Sequence, residues 1–294
     1  MTRSNTTRRG GTVAIKGSKS CAKANKLNDL NGREWIRETT SVWIQKGLGS
    51  GHEDAKIERE HPAPFSFQDV ARLIRFFTKR GMTVLDPFCG VASTMKACAL
   101  NGRNGIGIEL SAHWADLGRE RLLKEVPPDL RKSTEQTIIV GDSREKLDEL
   151  AAESVDLVVT SPPYWNILCK IDHKMRKRVE AGLATRYSTV EGDLGNVPDY
   201  NTFLDQLAVV FSECVRALRA SRYMCVIVSD FRHKSRFYSF HSDLVGRLEP
   251  LGLCLKGIKI LYQSHKAVFP YGYPFAYVPN IHHQYILILQ KARG

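Results

Sequence analysis

From Met82 to Lys291 the chain alternates short apolar runs with longer amphipathic ones, and that alternation leaves few folds open. "MTVLDPF" (82–88), "GIGIEL" (105–110), "TIIVGDS" (137–143) and "VDLVVT" (155–160) are apolar along most of their length rather than at every second position. Strands covered on both faces read this way. "STMKACALNG" (93–102), "SAHWADLGRERLLKEV" (111–126, capped by Ser111) and "REKLDELAAE" (144–153) read as the intervening helices. A long amphipathic helix over 200–218, a strand over 222–231 and a helix over 237–252 continue the pattern, and strands over 255–263 and 282–291 close it. Upstream, 61–81 begins as a proline-fixed loop. It then becomes a helix with Val70, Leu73, Ile74 and Phe77 on one face, stopped by Gly81. Alternation at this spacing predicts an α/β fold with a mostly parallel sheet and helices on both faces.

Charge sets the class of partner. Among 294 residues, 43 Lys and Arg face 31 Asp and Glu, a net charge of +12 that favours a polyanion, with nucleic acid foremost. The first 28 residues hold seven of those cations and no acid, and the first sizeable apolar cluster is "EWIRETTSVWIQKG" (34–47). We therefore read 1–33 as a basic flexible arm and 34–294 as one domain. The seven cysteines (21, 89, 98, 169, 214, 225, 254) never form a C-x-x-C pair, which argues for a reducing cytoplasm and against a zinc site or a disulfide framework. No run approaches the roughly 18 apolar residues of a membrane span, and the N-terminus lacks the apolar core of a signal peptide. His282 and His283 are adjacent in a strand and face opposite ways, so no metal is expected.

Acids recur at the ends of three successive strands: Asp86, Glu109 and Asp142. The first turn, Asp86 to Thr94, has neither the G-x-G-x-x-G of a dinucleotide fold nor a Walker A loop. Three carboxylates in register suit a ligand with hydroxyl and amino donors and a positive charge, and S-adenosylmethionine has all of these. After the fourth strand comes "TSPPYWN" (160–166). Two prolines stiffen the exit and form a rigid lip at the carboxyl end of the sheet, where open α/β folds hold ligands.

Taken together, "HPAPF" (61–65), "VLDPFCG" (84–90), "GIGIEL", "VGDS" and "TSPPYW" resemble the amino-group DNA methyltransferases, over about residues 40–291. The resemblance implies a Rossmann-like class I methyltransferase: a mostly parallel seven-stranded sheet, helices on both faces and a terminal antiparallel hairpin. It implies S-adenosylmethionine held by Pro64, Phe65, Asp86, Phe88, Gly90, Ser93, Thr94, Glu109, Asp142 and Ser143. It also implies a base clamp of Ser161, Pro162, Pro163 and Tyr164. The Ser161 side chain and Pro162 carbonyl would accept hydrogen bonds from the exocyclic amine, and Tyr164 would stack on the extruded base. Two departures stand out. Ala92 replaces a glycine usual in the family's turn, and the cofactor motifs precede "SPPY", whereas many relatives with "HPAPF" have the reverse order.

Serine at 161 leans towards cytosine N4, because adenine enzymes of this family more commonly carry aspartate there. Adenine N6, a guanine amino group in RNA and an inactive nucleic-acid-binding scaffold remain as alternatives. Double-stranded DNA is the expected partner, with a cognate restriction endonuclease and a homodimer as further ones. Target recognition has two candidate insertions, 165–200 with its basic run "KIDHKMRKR" and 263–281 with its prolines and aromatics.

Overall fold

A computed structural model describes residues 25–45, 55–61, 66–165 and 192–293. Its centre is a sheet whose strands β1 (Val42–Ile44), β2 (Thr83–Asp86), β3 (Asn104–Glu109), β4 (Gln136–Val140), β5 (Val155–Thr160), β6 (Leu218–Val228), β9 (Leu253–Tyr262) and β10 (His283–Lys291) lie in the order β1-β9-β10-β6-β5-β2-β3-β4. Strands β2 to β6 pair in parallel, and β10 runs antiparallel to both β6 and β9. Such an arrangement, with the strand order reversing beside β2, is the Rossmann-like class I methyltransferase fold. The sheet has eight strands rather than seven. The additional edge strand, β1, pairs in parallel with β9 through Val42–Ile260, Trp43–Leu261 and Ile44–Tyr262. A separate two-stranded hairpin, β7 (Phe231–His233) with β8 (Arg236–Tyr238), follows β6.

Among the described residues three helices precede β2: α1 (Gly32–Glu38), α2 (Ala55–Glu60) and α3 (Phe67–Phe77). Every residue of β5 is buried, because helices cover both of its faces. Leu157 and Val159 pack with Val70, Leu73, Ile74 and Phe77 of α3. Val158 packs with Phe203, Leu207 and Phe211 of the helix Tyr200–Ala217 on the other side. Full burial of each such side chain stabilises the fold by about 1.5–3 kcal/mol. The periodicity of α3 thus does what its sequence predicts. Two other helices come out shorter than expected. The run 144–153 gives only Ser143–Lys146 and a 3-10 turn over Leu147–Glu149. There the Arg216 guanidinium takes the carbonyls of Leu147 and Leu150, both at 2.8 Å, and ends the helix. The run 237–252 gives a helix only from Phe240 to Leu248, because Phe237 and Tyr238 belong to β8.

The folded body also begins earlier than residue 34. Asn28 is buried and its side-chain amide donates to the Phe76 carbonyl at 2.5 Å. Asn31 caps α1 through a reciprocal pair with Glu34. Residues 25–33 therefore pack on the domain rather than belonging to an arm. The rest of the expected arm, residues 1–24, lies outside the described residues, as do Pro64, Phe65 and most of the candidate insertion 165–200.

Candidate active site

Parallel strands end on one edge of the sheet, and the turns that follow β2, β3, β4 and β5 line a single cavity there. The turn after β2 contributes Phe88, Gly90 and Ser93. Gly90 has φ of +51°, a left-handed value that a side chain disfavours, and a Cβ there would meet the His61 ring at 3.3 Å. Ala92, the departure from the family's glycine, sits in the same left-handed region at φ 59° and starts α4 (Ser93–Leu100). An L-residue in that conformation costs about 1–2 kcal/mol. The close backbone therefore persists without glycine at 92, at the expense of local strain. Ser93 is on the cavity, and its hydroxyl accepts from the buried Arg121 guanidinium at 2.9 Å.

Glu109, at the end of β3, faces the cavity while its two carboxylate oxygens accept from the Gly90 and Ser111 amides, both at 2.9 Å. Burial pushes its carboxyl up to about 7, against those two hydrogen bonds, and repulsion from Asp86 and Asp193 adds to the rise. Asp142 and Ser143 come from the turn after β4. Asp142 also feels burial, but the Arg144 side chain and amide outweigh it and hold the carboxyl below its ordinary range. Ser143 is buried and donates to the Pro87 carbonyl.

Asp86 and Thr94 do not line the cavity. Asp86 is fully buried beneath it and accepts from Thr94, from Thr160 at 2.5 Å and from the Phe88 amide at 3.1 Å. Its carboxylate has no face left for a ligand. Instead it joins the end of β2, the start of α4 and the residue preceding Ser161, so it is a positioning residue. Burial raises its carboxyl to about 6.

The lip after β5 brings Ser161, Pro162 and Pro163 onto the same cavity. Tyr164 turns away from it. Its ring packs on Phe231 and Phe240, and its hydroxyl accepts from Gln284 at 3.3 Å. Trp165 anchors the lip by donating to the Val197 carbonyl at 2.7 Å and packing on Tyr200, His233 and Tyr238. The cavity has lining residues that the sequence reading did not name. His61, at an edge-on 5.0 Å from Trp114, opens the "HPAPF" segment, and that segment is its local signal. Gly192, Asp193 and Leu194 follow the basic insertion and carry no local signal.

A cavity with a close-approach glycine, apolar walls from Phe88, Ile108 and Leu194, and the three carboxylates of Glu109, Asp142 and Asp193 fits a nucleoside bearing a cationic group. The N6/N4 methyltransferase family model, described as DNA methylase, matches residues 11–120. That stretch contains the cavity's first turn and Glu109 and stops before the lip. Among curated relatives, the type II methyltransferase M.MjaI of Methanocaldococcus jannaschii is 30% identical over 177 residues, 55% of this chain and 57% of that protein. The type II methyltransferase M.MthZI of Methanothermobacter thermautotrophicus is 37% identical over 89 residues, 30% of this chain and 24% of that one. The chain thus spans from about a quarter to a little over half of these relatives' lengths. A Thermus thermophilus structure, assigned as a DNA modification methylase in complex with S-adenosyl-L-methionine, is 31% identical over 53% of this chain and 55% of that one, with a TM-score of 0.37.

Proposed function

We propose that this chain, by its motifs and its family model a relative of the amino-group DNA methyltransferases of the N4/N6 type, methylates an exocyclic amino nitrogen of a base in double-stranded DNA. The methyl donor is S-adenosylmethionine and the base is cytosine, at N4. One observation carries the reading: Ser161 and Pro162 line the same cavity as Gly90 and Glu109, so a base clamp and a nucleoside cradle share one space.

When bound, S-adenosylmethionine supplies an electrophilic methyl group. Glu109 would hold its ribose hydroxyls, the Gly90 turn would admit its close approach, and Asp142 and Ser143 would meet its base. The chain's own contribution to reactivity is at the lip. An exocyclic amine is a poor nucleophile because its lone pair is delocalised into the ring. Two acceptors, the Ser161 hydroxyl and the Pro162 carbonyl, bond its two N–H groups and favour a tetrahedral nitrogen. Pro162 is buried and its ring fixes the backbone, so the carbonyl is held in place before the base arrives. Tyr164 supports this lip from behind and would stack on a base only after its ring leaves Phe231 and Phe240.

The cytosine assignment rests on serine at 161. Incubation with labelled S-adenosylmethionine and mixed DNA and RNA, followed by nucleoside analysis, is expected to yield 4-methylcytosine from DNA. A 6-methyladenine product would move the specificity to adenine and keep the clamp. Label in RNA alone, or in neither nucleic acid, would overturn the reading.

A further inference from the structure

Between β9 and β10 the chain leaves the sheet for twenty residues, 263–282, on the same edge as the lip. Connections this long without regular structure are uncommon in compact domains and usually functional. This one is stiff. Asn280 clamps Phe269 through two hydrogen bonds, at 2.8 and 2.9 Å. The amides of Phe275 and Ala276 both donate to the Gly272 carbonyl, at 2.8 and 2.7 Å. Gly272 is left-handed, and a Cβ there would collide with the Ala276 carbonyl oxygen, so the turn admits only glycine. Yet its large side chains point to solvent: Tyr273 is 82% exposed, Phe275 94% and Tyr277 88%. A rigid backbone that holds three aromatic rings out in water is built for a surface that covers them.

Charge indicates which surface. The connection has no acidic residue and carries His265 and Lys266. Beside it on the same edge, the β7–β8 hairpin (231–238) also lacks acids and presents Arg232, Lys234 and Arg236. Among the described residues none of these three cations has an ion-pair partner. Both projections are fastened to the lip, the hairpin through Trp165 on His233 and Tyr238, the connection through Gln284 at its foot on Tyr164.

We propose that the 263–282 connection is an aromatic finger that stacks on bases of duplex DNA next to the target nucleotide, while the β7–β8 hairpin holds the flanking phosphates. The proposal rests on the DNA reading above and specifies the surface that receives the duplex. Stacking on a base is sequence-tolerant and is worth most where a base step has been opened, as it is beside an extruded nucleotide.

Two triple variants of the full chain test it, with Tyr273, Phe275 and Tyr277 or with Arg232, Lys234 and Arg236 changed to Ala. Binding is read by anisotropy of a fluorescent duplex, fully paired or with one mismatch, across a salt series. Melting temperature and S-adenosylmethionine affinity confirm that each variant is folded. The aromatic variant should lose about tenfold or more in duplex affinity, keep the salt slope, and lose any preference for the mismatched duplex. The cationic variant should flatten the slope. Wild-type duplex affinity in the aromatic variant would overturn the proposal. So would a change in oligomeric state on light scattering, because the rings would then cover a second copy of the chain. Methyl transfer by the wild type is measured separately. A wild type that binds duplex through these residues but transfers no methyl group overturns the proposed function and leaves the finger standing. A methylating wild type with an unimpaired aromatic variant overturns the finger alone.

Discussion

Ser161 and Glu109 reach one cavity from strands two apart in the sheet, and they make different demands on the chemistry. In the proposed reaction Ser161 would act on the amine as it changes geometry, so its effect would belong to the transition state. Ser161→Ala is expected to lower turnover about a hundredfold or more, as loss of one preorganised hydrogen-bonding group does elsewhere, with unchanged S-adenosylmethionine affinity. Single-turnover kinetics beside calorimetry separates the two, and full activity in the variant would remove the clamp. Glu109 would act on binding in the same proposal, and its raised carboxyl would make that binding sensitive to pH. Its folded carboxyl titrates near 7, above the ordinary 4.5. Hydroxyl donors and a cation favour the ionised form, so cofactor affinity should rise as pH passes upward through about 7 and then level off. The unliganded fold has the opposite dependence. Between about 4.5 and about 7 the folded state binds the extra proton, so Glu109's contribution to stability falls as pH rises through that window. Glu109→Gln should abolish both trends in calorimetry and in melting curves taken across the range. A pH-independent affinity in the wild type would take Glu109 out of the cofactor contacts.

At the scale of elements, the cradle depends on how α4 meets α5 (Ala112–Glu125). Lys96 and Arg121 are both fully buried, and both reach Glu125, at 2.6 and 2.9 Å. Arg121 extends the network to the cavity through Ser93 and the Val91 carbonyl at 3.2 Å. Removing the shared anion takes from two buried cations the carboxylate that both of them reach. Glu125→Ala is expected to cost about 3–5 kcal/mol, read by chemical denaturation, with Glu125→Gln milder because it keeps an acceptor. In the milder variant S-adenosylmethionine affinity should also fall, because Arg121 would no longer hold the Ser93 turn. A folded Glu125→Gln protein with wild-type affinity would confine the network to stability alone. A second element contact is steric: a Cβ on Gly107 in β3 would lie 2.8 Å from Cys89. Gly107→Ala should therefore push the cradle turn outward and weaken cofactor binding, at about 1–3 kcal/mol of stability.

For the whole molecule the governing quantity is the net charge of +12. Duplex affinity should fall steeply with salt, because each neutralised phosphate releases counterions. Truncation to test the N-terminal cations has to stop at residue 24, since Asn28 is part of the folded body. Removing residues 1–24 takes away six Lys or Arg, and if all six meet phosphate the salt slope should drop by as much as about five. An unchanged slope would leave these cations off the DNA. Among the described residues no helix is long and apolar enough to cross a membrane.

Local pattern was enough to read the strands β2 to β6, the faces of α3, and the cavity's cradle and lip, because each is set by residues within one element or one turn. Burial on both faces writes a continuous apolar run into β5, and two prolines write a stiff exit after it. What the sequence did not carry depends on neighbours distant along the chain. The edge strand β1 is three residues long, too short for any periodicity, and exists because β9, more than two hundred residues later, offers it a ladder. Asp86 looks like its fellows Glu109 and Asp142 in the sequence. Only the meeting of Thr94 and Thr160 around it turns its carboxylate inward and makes it a brace. Tyr164 sits in the lip motif, but its ring faces backward because Phe231 and Phe240, brought there by β7 and the helix after β8, give it an apolar bed. Where strands and helices fall along the chain follows from short-range propensity and hydrophobic period. The direction of a side chain at a strand end follows from which partners the completed fold places within hydrogen-bond or van der Waals reach.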